Sequence, residues 1–534
     1  MSTTATTTTG PLKRRKLPIG IQTFRQIREG NCYYADKTGL ALDLIETGKY
    51  YFLSRPRRFG KSLLIDTLKD IFEGQRDLFT GLAAQTRWDW SRRYPVIRID
   101  FSIGVLHSAA ALAQRIRELL TEQQDQLGVQ CRNQSVAGIF SELIQAARAK
   151  YDQRVVVLVD EYDKPILDNI TDKPIARDMR DGLRDLYSVI KGQDANIQFA
   201  MLTGVSKFSK FSKVSKVSLF SGLNNLKDIT LDARYSALCG YTDDEIDNVF
   251  AAELFDLDRQ QIRDWYNGYN WLGTRVYNPF DALLLFDTRE FRAHWFETGT
   301  PDFLVQLLLQ RHTFTPDLGR IVASESLLST FDVDTMPIEA LLFQTGYLTI
   351  DSVRRLPGMT QFTLCYPNLG VRSSLNGALL ERFSHDPGRQ SDLAPQLYDL
   401  LLACDFDGMK RLFTAFYFSI PNQWFVNNHI ADYEGYYASV FYSYFAAIGL
   451  DVDCEKSSSV GRLDMAVRLN GQFFLFEFKV VELEPEGRAL QQIKDKGYAR
   501  PYLALGQPIH QIGVEFSKAS RTVVGFEVET LYIK

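Results

Sequence analysis

The sequence predicts that two carboxylates near the C-terminus lie on facing strands. Residues 463–469 and 472–479 are strand-like, and the Asn-Gly pair between them is the strongest short signal for a β-hairpin. A two-residue turn fixes the register, and counting back from the turn sets Asp464 directly opposite Glu477. Directly opposite residues have Cβ atoms about 4.5–5.5 Å apart. Lys479 lies two residues beyond Glu477 and therefore shares its face of the sheet.

Facing acids need a physical reason, because like charges directly opposite one another destabilise a hairpin. A divalent cation supplies one, and carboxylate oxygens suit Mg²⁺ or Mn²⁺. Lys479 would then position or activate a water molecule and stabilise charge on a scissile phosphate. Two other interpretations stay open. The acids could simply pair with Lys479 or Arg462, or the fold could be kept without cleavage.

A second group of residues has the types that bind phosphate. Residues 55–62 read RPRRFGKS, in which Gly60, Lys61 and Ser62 match the end of the phosphate-loop pattern GxxxxGK[ST] between a strand and a helix. Backbone N–H groups at the start of the helix would cradle phosphates. Lys61 would neutralise the β- and γ-phosphates of a nucleotide, and Ser62 would bind Mg²⁺.

The start of this loop departs from the pattern. Arg55 replaces the first glycine and lacks its freedom at positive φ, and Pro56 has no N–H to offer a phosphate. We expect Arg57 and Arg58 to compensate by pairing with phosphate oxygens. The alternative is a basic loop before a surface helix.

Acidic residues follow an apolar strand further along the chain. Residues 155–159 (VVVLV) are typical of a central parallel strand that is buried on both faces. Asp160 comes directly after them, at the edge where ligands bind in open α/β sheets, and would hold Mg²⁺ through water. Glu161 would polarise the attacking water, and Thr203, after the next strand, could sense the γ-phosphate. An ordinary solvated acidic turn is the alternative.

Strands and helices alternate around these residues. The pattern predicts strands that include 50–53, 96–101, 155–159 and 197–202, and helices that include 108–126 and 173–192. Such alternation predicts an α/β domain with a mostly parallel sheet. From 240 to 330 the pattern is mostly helical. Strands at Gly346–Ile350 and Gln361–Tyr366, with a Pro-Gly turn between them, predict a small hairpin-bearing region.

Composition limits the classes of function. The chain has 534 residues, of which 45% are hydrophobic and 24% charged, and its formal net charge of -4 provides no global basic field for nucleic acid. Six cysteines without paired spacing predict neither disulfides nor a zinc site and indicate a cytoplasmic location. No apolar run reaches the ~18–20 residues of a membrane span, so no membrane partner is expected.

Longer stretches of the chain resemble the predicted AAA-ATPase-like proteins of bacteria, which often carry a C-terminal nuclease-superfamily domain. The resembling stretches include YYADKT (33–38), FLSRPRRFGKSLL (52–64), LVDEYDKPI (158–166), LTGVSKFSK (202–210), YNGYNW (266–271), VYNPFDALLLF (276–286) and FQTGYLTI (343–350). The phosphate loop of that family has the form RPRRFGKS, so the resemblance makes Arg55 an expected residue. It also implies ATP binding at Lys61 and Ser62, and Mg²⁺ at Asp160.

The C-terminal acids resemble the core of the PD-(D/E)XK nuclease superfamily. The segments GRLD (461–464) and FEFK (476–479) match that core. The resemblance implies that Glu434, in YEGYYASVFYSYF, is the early acidic residue and a metal ligand. It implies that Gln492, in ALQQIKDKGYA, contacts the substrate or the active-site carboxylates.

The predicted fold is α/β. It combines a P-loop NTPase parallel sheet, helical and small winged-helix-like middle regions, and a C-terminal restriction-endonuclease-like α/β domain. The predicted divisions are a disordered tail (1–16), an ATPase domain (17–232), a helical lid region (233–330), a winged-helix-like or linker region (331–400) and a nuclease-like domain (401–534).

The leading hypothesis is an ATP-hydrolysing protein with a metal-dependent nuclease module. Its predicted catalytic residues are Glu161, Asp464, Glu477 and Lys479. The expected cofactors are ATP and Mg²⁺, with Mn²⁺ as a substitute, and the expected partner is nucleic acid, DNA ahead of RNA. The sequence leaves oligomerisation open. The alternatives are a nucleotide-dependent switch or scaffold whose nuclease-like domain binds without cleaving, and a protein-remodelling ATPase.

Overall fold

The structure is a computed structural model that describes residues 14–207, 226–297, 302–311, 315–328, 337–384, 387–419, 434–458 and 461–532. The chain divides into two compact units, one formed by Met1–Gly299 with Val322–Asn368 and the other by Thr300–Ile321 with Leu369–Lys534. Each unit therefore draws on two stretches of chain. The linear boundaries predicted after residues 232, 330 and 400 remain predictions.

A five-stranded sheet forms the centre of the first unit. Its strands are β1 (Tyr50–Ser54), β2 (Val96–Asp100), β3 (Val155–Asp160), β4 (Ile197–Gly204) and β5 (Lys227–Asp228). Their order is β2-β3-β4-β1-β5, and each neighbouring pair is parallel. Every residue of β1 and β3 is buried, as expected of apolar strands covered on both faces. The predicted parallel α/β sheet is thus confirmed.

Helices connect these strands and cover the sheet. They are α1 (Phe24–Glu29), α2 (Thr38–Thr47), α3 (Lys61–Phe72), α4 (Ala84–Arg87), α5 (Ala109–Leu127), α6 (Val136–Tyr151), α7 (Lys164–Leu167) and α8 (Lys173–Gly192). Ser108 and Ser135 begin α5 and α6 by accepting hydrogen bonds from backbone N–H groups of the first turn. At the N-terminus, Lys16 forms an isolated bridge with Cys32, and Arg14 lies 3.6 Å from Glu253, so the end of the predicted tail contacts folded residues.

The middle of the chain is mostly helical. Its helices are α9 (Asp243–Val249), α10 (Arg259–Tyr266), α11 (Pro279–Thr288), α12 (His294–Glu297), α13 (Asp302–Gln310), α14 (Glu325–Leu328) and α15 (Ile338–Thr345). Of these, α13 belongs to the second unit together with a 3-10 turn at Thr315–Gly319. Aromatic and aliphatic side chains of α9, α10 and α11 pack into one core.

A small three-stranded sheet contains a hairpin that follows α15, in the region where the sequence predicts one. Its strands β6 (Ile321–Ser324), β7 (Thr349–Leu356) and β8 (Met359–Cys365) have the order β6-β8-β7, and β7 pairs with β8 in antiparallel fashion. The predicted first strand, Gly346–Ile350, was placed too early. Gly346 instead ends α15 with a left-handed φ of 90°, so the extended chain begins only at Thr349.

The second unit contains a mixed sheet between two layers of helices. Its elements are α16 (Leu369–Ser384), α17 (Pro387–Ala403), α18 (Phe406–Ser419), α19 (Glu434–Ala447), β9 (Asp451–Ser458), β10 (Gly461–Leu469), β11 (Gln472–Val481), α20 (Arg488–Lys496), α21 (Arg500–Leu503), β12 (Ile509–Ser517) and β13 (Val523–Leu531). The strand order is β13-β12-β11-β10-β9, with β11 and β12 parallel and the other pairs antiparallel.

Alternate residues of β11 face these two layers. Phe476 and Phe478 pack on α19, with ring centroids 5.3 Å from Phe445 and 5.0 Å from Phe441 respectively. Leu475, on the opposite face, belongs to the core that includes Leu490 and Ile493 of α20. Glu477 and Lys479 have the same parity as Leu475, so the predicted catalytic side chains lie on the α20 face.

Two further features concern the helices and the cysteines. None of the helices in the described part of the chain has the length and apolar content of a membrane span. The six cysteines are free thiols.

Candidate functional site

The phosphate-loop residues lie between β1 and α3, as the sequence predicts. Gly60 precedes α3 with a φ of 90°, in the left-handed region that glycine tolerates without strain. Arg58 also has a positive φ, 68°. Lys61 and Ser62 form the first turn of the helix, where backbone N–H groups have no partner within the helix and can bind phosphate.

Lys61 is buried beside its own loop. Its Nζ donates hydrogen bonds to the backbone oxygens of Arg55 and Pro56, at 3.0 Å each. Burial lowers the pKa of Lys61, and the nearby acids Glu161 and Asp160 oppose that shift. The side chain is therefore a desolvated cation held close to two carboxylates.

A cavity of about 430 Å³ opens over this loop. Six predicted site residues meet in its walls, namely Arg57, Arg58, Gly60, Lys61, Ser62 and Glu161. Trp295 also lines the cavity, and its indole Nε1 donates to the backbone oxygen of Arg57 at 3.1 Å. Arg57 and Arg58 are both exposed, which leaves their guanidinium groups available to an anion.

Asp160 ends β3 with one carboxylate oxygen fixed and the other without a partner. Its Oδ1 accepts from the hydroxyl of Thr203 at 2.7 Å and from the N–H of Glu161 at 3.0 Å. Its Oδ2 is buried and has no hydrogen-bond partner among the described residues. A buried acceptor of this kind fits a hydrated Mg²⁺ ion.

The two neighbours of Asp160 take different positions. Burial raises the pKa of Glu161, while Lys61 and Arg57 counter the shift; its carboxylate lines the cavity. Thr203 is fully buried, and its hydroxyl is used by Asp160. Thr203 thus orients the Asp160 carboxylate from a buried position.

Arg55 has a structural position that the sequence reasoning missed. It is fully buried, and its guanidinium lies 4.0 Å from the ring centroid of Trp271. It donates to the backbone oxygens of Thr230 at 3.1 Å and Tyr235 at 3.2 Å. Burial lowers the pKa of Arg55 to about 10. The residue therefore anchors the loop to distant segments, and only a long-range contact could have revealed it.

Asp163 is a second residue that the motif analysis passed over. Its buried carboxylate accepts from the N–H groups of Val205 and Ser206, and from the Ser206 hydroxyl. A Cβ on Gly204 would collide with Asp163 and Tyr162. The acidic segment after β3 thus fixes the chain that leaves β4. The chain continues from there to Lys207, and residues 208–225 lie outside the described residues.

The C-terminal hairpin has the predicted register. Met465 pairs with Phe476 and Leu469 with Gln472, so the register counted from the turn is confirmed as far as Met465, one residue before Asp464. Asp464 lies just beyond the paired residues of the ladder. Its side-chain Oδ2 accepts a hydrogen bond from the backbone N–H of Phe478 at 2.8 Å.

Glu477 is the centre of this second site. It is 1% exposed, and its Oε1 accepts from Nε2 of Gln492 and lies 3.3 Å from Nζ of Lys479. Its Oε2 is buried without a hydrogen-bond partner among the described residues. Burial raises the pKa of Glu477 to about 8, and Asp464 adds to the shift. Pairing with Lys479 alone therefore leaves one buried oxygen for another ligand.

The donor set fits a hard divalent cation in part. Asp464 and Glu477 supply carboxylate oxygens, and the unpartnered Oε2 is the acceptor that such an ion would use. No group of three or more His, Cys, Asp or Glu side chains suited to a metal occurs in the described part of the chain. Glu434 is the first residue of α19, and its side chain lies outside the described residues, as does that of Arg462.

Both candidate sites lie in segments that match known protein families. The family described as "Predicted AAA-ATPase" matches residues 18–214, and the PD-(D/E)XK nuclease superfamily matches residues 432–526. A protein of Azotobacter chroococcum mcd 1, named "Uncharacterized protein in vnfD 5'region", is 61% identical over 521 residues. That match covers 97% of this chain and 100% of the relative. The phosphate loop and both groups of acids fall inside the matched ranges.

Proposed function

We propose that this chain hydrolyses ATP and cleaves nucleic acid, because it belongs to the family of predicted AAA-ATPases and carries a C-terminal PD-(D/E)XK nuclease-superfamily domain. ATP would bind at residues 55–62 with Asp160 and Glu161. Cleavage would occur at Asp464, Glu477 and Lys479. DNA is the substrate we expect ahead of RNA.

One observation carries the nuclease half of the proposal. Glu477 Oε2 is a buried carboxylate oxygen without a partner among the described residues, although Gln492 and Lys479 both contact the other oxygen. Leaving a buried acceptor unsatisfied costs about 1–3 kcal/mol, and more for a charged group. A bound divalent cation removes that cost, and it supplies charge stabilisation at a scissile phosphate.

The residues of the first site have separate tasks. The first turn of α3, with Lys61, would bind the nucleotide phosphates, and Ser62 and Asp160 would hold Mg²⁺. Arg57 and Arg58 would neutralise phosphate oxygens from the exposed side of the cavity. Glu161 would orient the attacking water and accept its proton, a task suited to a carboxyl whose pKa is raised.

The residues of the second site divide the work in a similar manner. Asp464 and Glu477, with Glu434 as the expected third acid, would hold Mg²⁺ or Mn²⁺. Lys479 would place its ammonium beside the attacked phosphate and orient the water. Gln492 would keep the Glu477 carboxylate in a fixed orientation, as outer residues do for metal ligands.

A paired assay on the full chain tests both halves. DNA or RNA is incubated with Mg²⁺ or Mn²⁺, with and without ATP, and cleavage and phosphate release are measured in the same samples. Glu477→Ala should abolish cleavage, whereas Glu482→Ala, an exposed acid after the same strand, should not. Lys61→Ala should abolish phosphate release, whereas Lys69→Ala, on the same helix, should not.

Each failure has a distinct meaning. Absence of cleavage in every condition, with wild type equal to Glu477→Ala, contradicts the nuclease half. Tight, Lys61-dependent ATP binding without turnover supports a nucleotide-dependent switch instead. Phosphate release that a protein stimulates and DNA does not supports a remodelling ATPase.

A further inference from the structure

The helix that carries Gln492 is capped by a buried acid on a neighbouring strand. Glu515 of β12 is 2% exposed, although it is a carboxylate. Its two oxygens accept from the backbone N–H groups of Glu486, Gly487, Arg488 and Ala489, at 2.5 to 3.3 Å. These groups begin α20, whose N-cap residue, Gly487, supplies no side-chain cap.

This arrangement concentrates several stabilising effects on one carboxylate. The first N–H groups of a helix have no partner within the helix, and the helix dipole favours negative charge at this end. Hydrogen bonds from N–H groups to an ionised carboxylate are about twice as strong as neutral ones. The position of the start of α20 on the sheet therefore depends on Glu515.

The register of β12 places this cap beside the second site. Glu515 pairs with Lys479, and Gly513 pairs with Glu477, across the parallel β11–β12 ladder. Aligned residues of parallel strands point to the same face, so Glu515 and Gly513 lie on the face that carries Glu477. A Cβ at Gly513 would collide with the backbone of Leu490, so the helix lies directly on this strand.

We propose that Glu515 is a positioning residue for the second site: by fixing the first turn of α20 on Gly513, it places the amide of Gln492 on Glu477. The helix turn that Glu515 holds is the one before Gln492, and Gln492 donates to Glu477 Oε1. Displacement of that turn would move the Gln492 amide away from Glu477. The Glu477 carboxylate would then lose its fixed orientation. The inference rests on the proposed nuclease function for its effect on cleavage, and on geometry alone for the cap.

Two matched pairs of variants separate positioning from general stability. Glu515→Gln keeps the shape and removes the charge, and its control is Glu529→Gln, which removes the ion pair with Lys494 of the same helix. Gln492→Ala removes the amide, and its control is Gln491→Ala, whose side chain bonds to Asp495. Glu515→Asp keeps the charge and serves as the conservative variant.

The experiment measures Mn²⁺ affinity, the kcat of DNA cleavage and hydrogen exchange of residues 486–492 in each variant of the full chain. We expect Glu515→Gln and Gln492→Ala each to weaken Mn²⁺ affinity or kcat by about 10–100-fold. The double variant should lose no more Mn²⁺ affinity or kcat than the more affected single variant, because both changes act through the same amide. Glu515→Asp should recover part of the loss, and both controls should match wild type.

Three results would overturn the inference. The first is wild-type hydrogen exchange at 486–492 in Glu515→Gln. The second is a Glu515→Gln effect that is undiminished in the Gln492→Ala background. The third is unchanged Mn²⁺ affinity and cleavage in Glu515→Gln while the wild type binds and cleaves. If the wild type neither binds Mn²⁺ nor cleaves, the proposed nuclease function fails, and faster exchange at 486–492 in Glu515→Gln alone still supports the cap.

Discussion

The two candidate sites hold their acids alike and their lysines differently. In each site one carboxylate oxygen is fixed, by Thr203 on Asp160 and by Gln492 on Glu477, and the second is buried without a partner among the described residues. Lys61, however, bonds to carbonyl oxygens of its own loop, whereas Lys479 lies 3.3 Å from Glu477. The first lysine is held within the loop that would receive a phosphate, and the second is already paired with the acid that would bind metal.

The supporting structure differs as well. In the first site, Arg58, Gly60 and Glu161 lie in loops and have positive φ, and contacts from distant segments brace the phosphate loop. The second is built on adjacent strands whose register fixes the side chains. Loop sites can change shape with their ligand, and strand sites hold their geometry beforehand. We therefore expect changes at the two sites to have separable effects.

The largest expected effect is at the second site. Asp464→Asn removes a charged metal ligand and should lower DNA cleavage by about 10³-fold or more, because charge at the phosphate is no longer stabilised. ATP turnover in the same sample should stay at the wild-type rate. Cleavage and phosphate release measured together provide the check, and equal losses of both activities would contradict the separation of the sites.

Glu161→Gln should break the first site in the complementary way. The amide cannot accept a proton from water, so ATP turnover should fall by about 10²–10⁴-fold. ATP affinity should be retained, because Lys61 and the first turn of α3 are unchanged. Fluorescence of Trp295, which lines the cavity, can report binding. Asp178→Asn, an exposed acid on α8, is the control, and turnover equal to wild type in Glu161→Gln would contradict the assignment.

Arg55→Lys tests the long-range bracing of the first site. An ammonium cannot reproduce the planar fork that reaches Thr230 and Tyr235 while stacking on Trp271. We expect a loss of roughly 2–3 kcal/mol in the free energy of unfolding, measured by denaturant titration, since buried hydrogen bonds to a charged group are lost. Arg57→Lys, at an exposed position of the same loop, should leave stability unchanged. A similar loss in both variants would count against a special role for Arg55.

The last expected effect concerns the stability of the second unit without metal. The pKa of Glu477 is raised to about 8 from an ordinary 4.5, so folding favours the protonated form. The contribution is fully present below pH 4.5 and is lost as the pH rises to about 8. The Glu477→Gln side chain cannot ionise, so the thermal midpoint of this variant should exceed that of wild type, and the difference should grow as the pH rises over this range. Each kcal/mol of unfolding free energy that the wild type loses should add roughly 2–4 °C to the difference.

Saturating Mn²⁺ should reverse this order, because only the ionised wild type binds the ion and gains stability from it. Glu482→Gln is the exposed control and should follow the wild type at every pH. A midpoint difference between Glu477→Gln and wild type that does not change with pH would contradict the raised pKa.

The sequence predicted the second site better than the first. Asp464 and Glu477 belong to one hairpin, so a turn of two residues determines locally the register of the strands that carry them. The roles of Arg55 and Asp163 depend on Trp271, Tyr235 and Ser206, which are far away in the chain and carry no spacing signal. For the same reason the helix cap by Glu515 on α20 was not foreseen.

The strands of the parallel sheet were predicted closely for a similar reason. Runs such as 155–159 carry their burial in their own composition, and the structure extends this one only to Asp160. The hairpin at 349–365 was misplaced at its start because Gly346 belongs to the end of a helix. Local composition therefore located the elements, and tertiary contacts decided their ends.

The most direct test is an anomalous diffraction measurement on crystals of the full chain grown with Mn²⁺. The account predicts an anomalous peak about 2.0–2.6 Å from Glu477 Oε2 and within bonding distance of Asp464, lost in crystals of Glu477→Gln. A map with ordered side chains and saturating Mn²⁺, but with Lys479 bonded to Oε2 and no peak between the two acids, would contradict it.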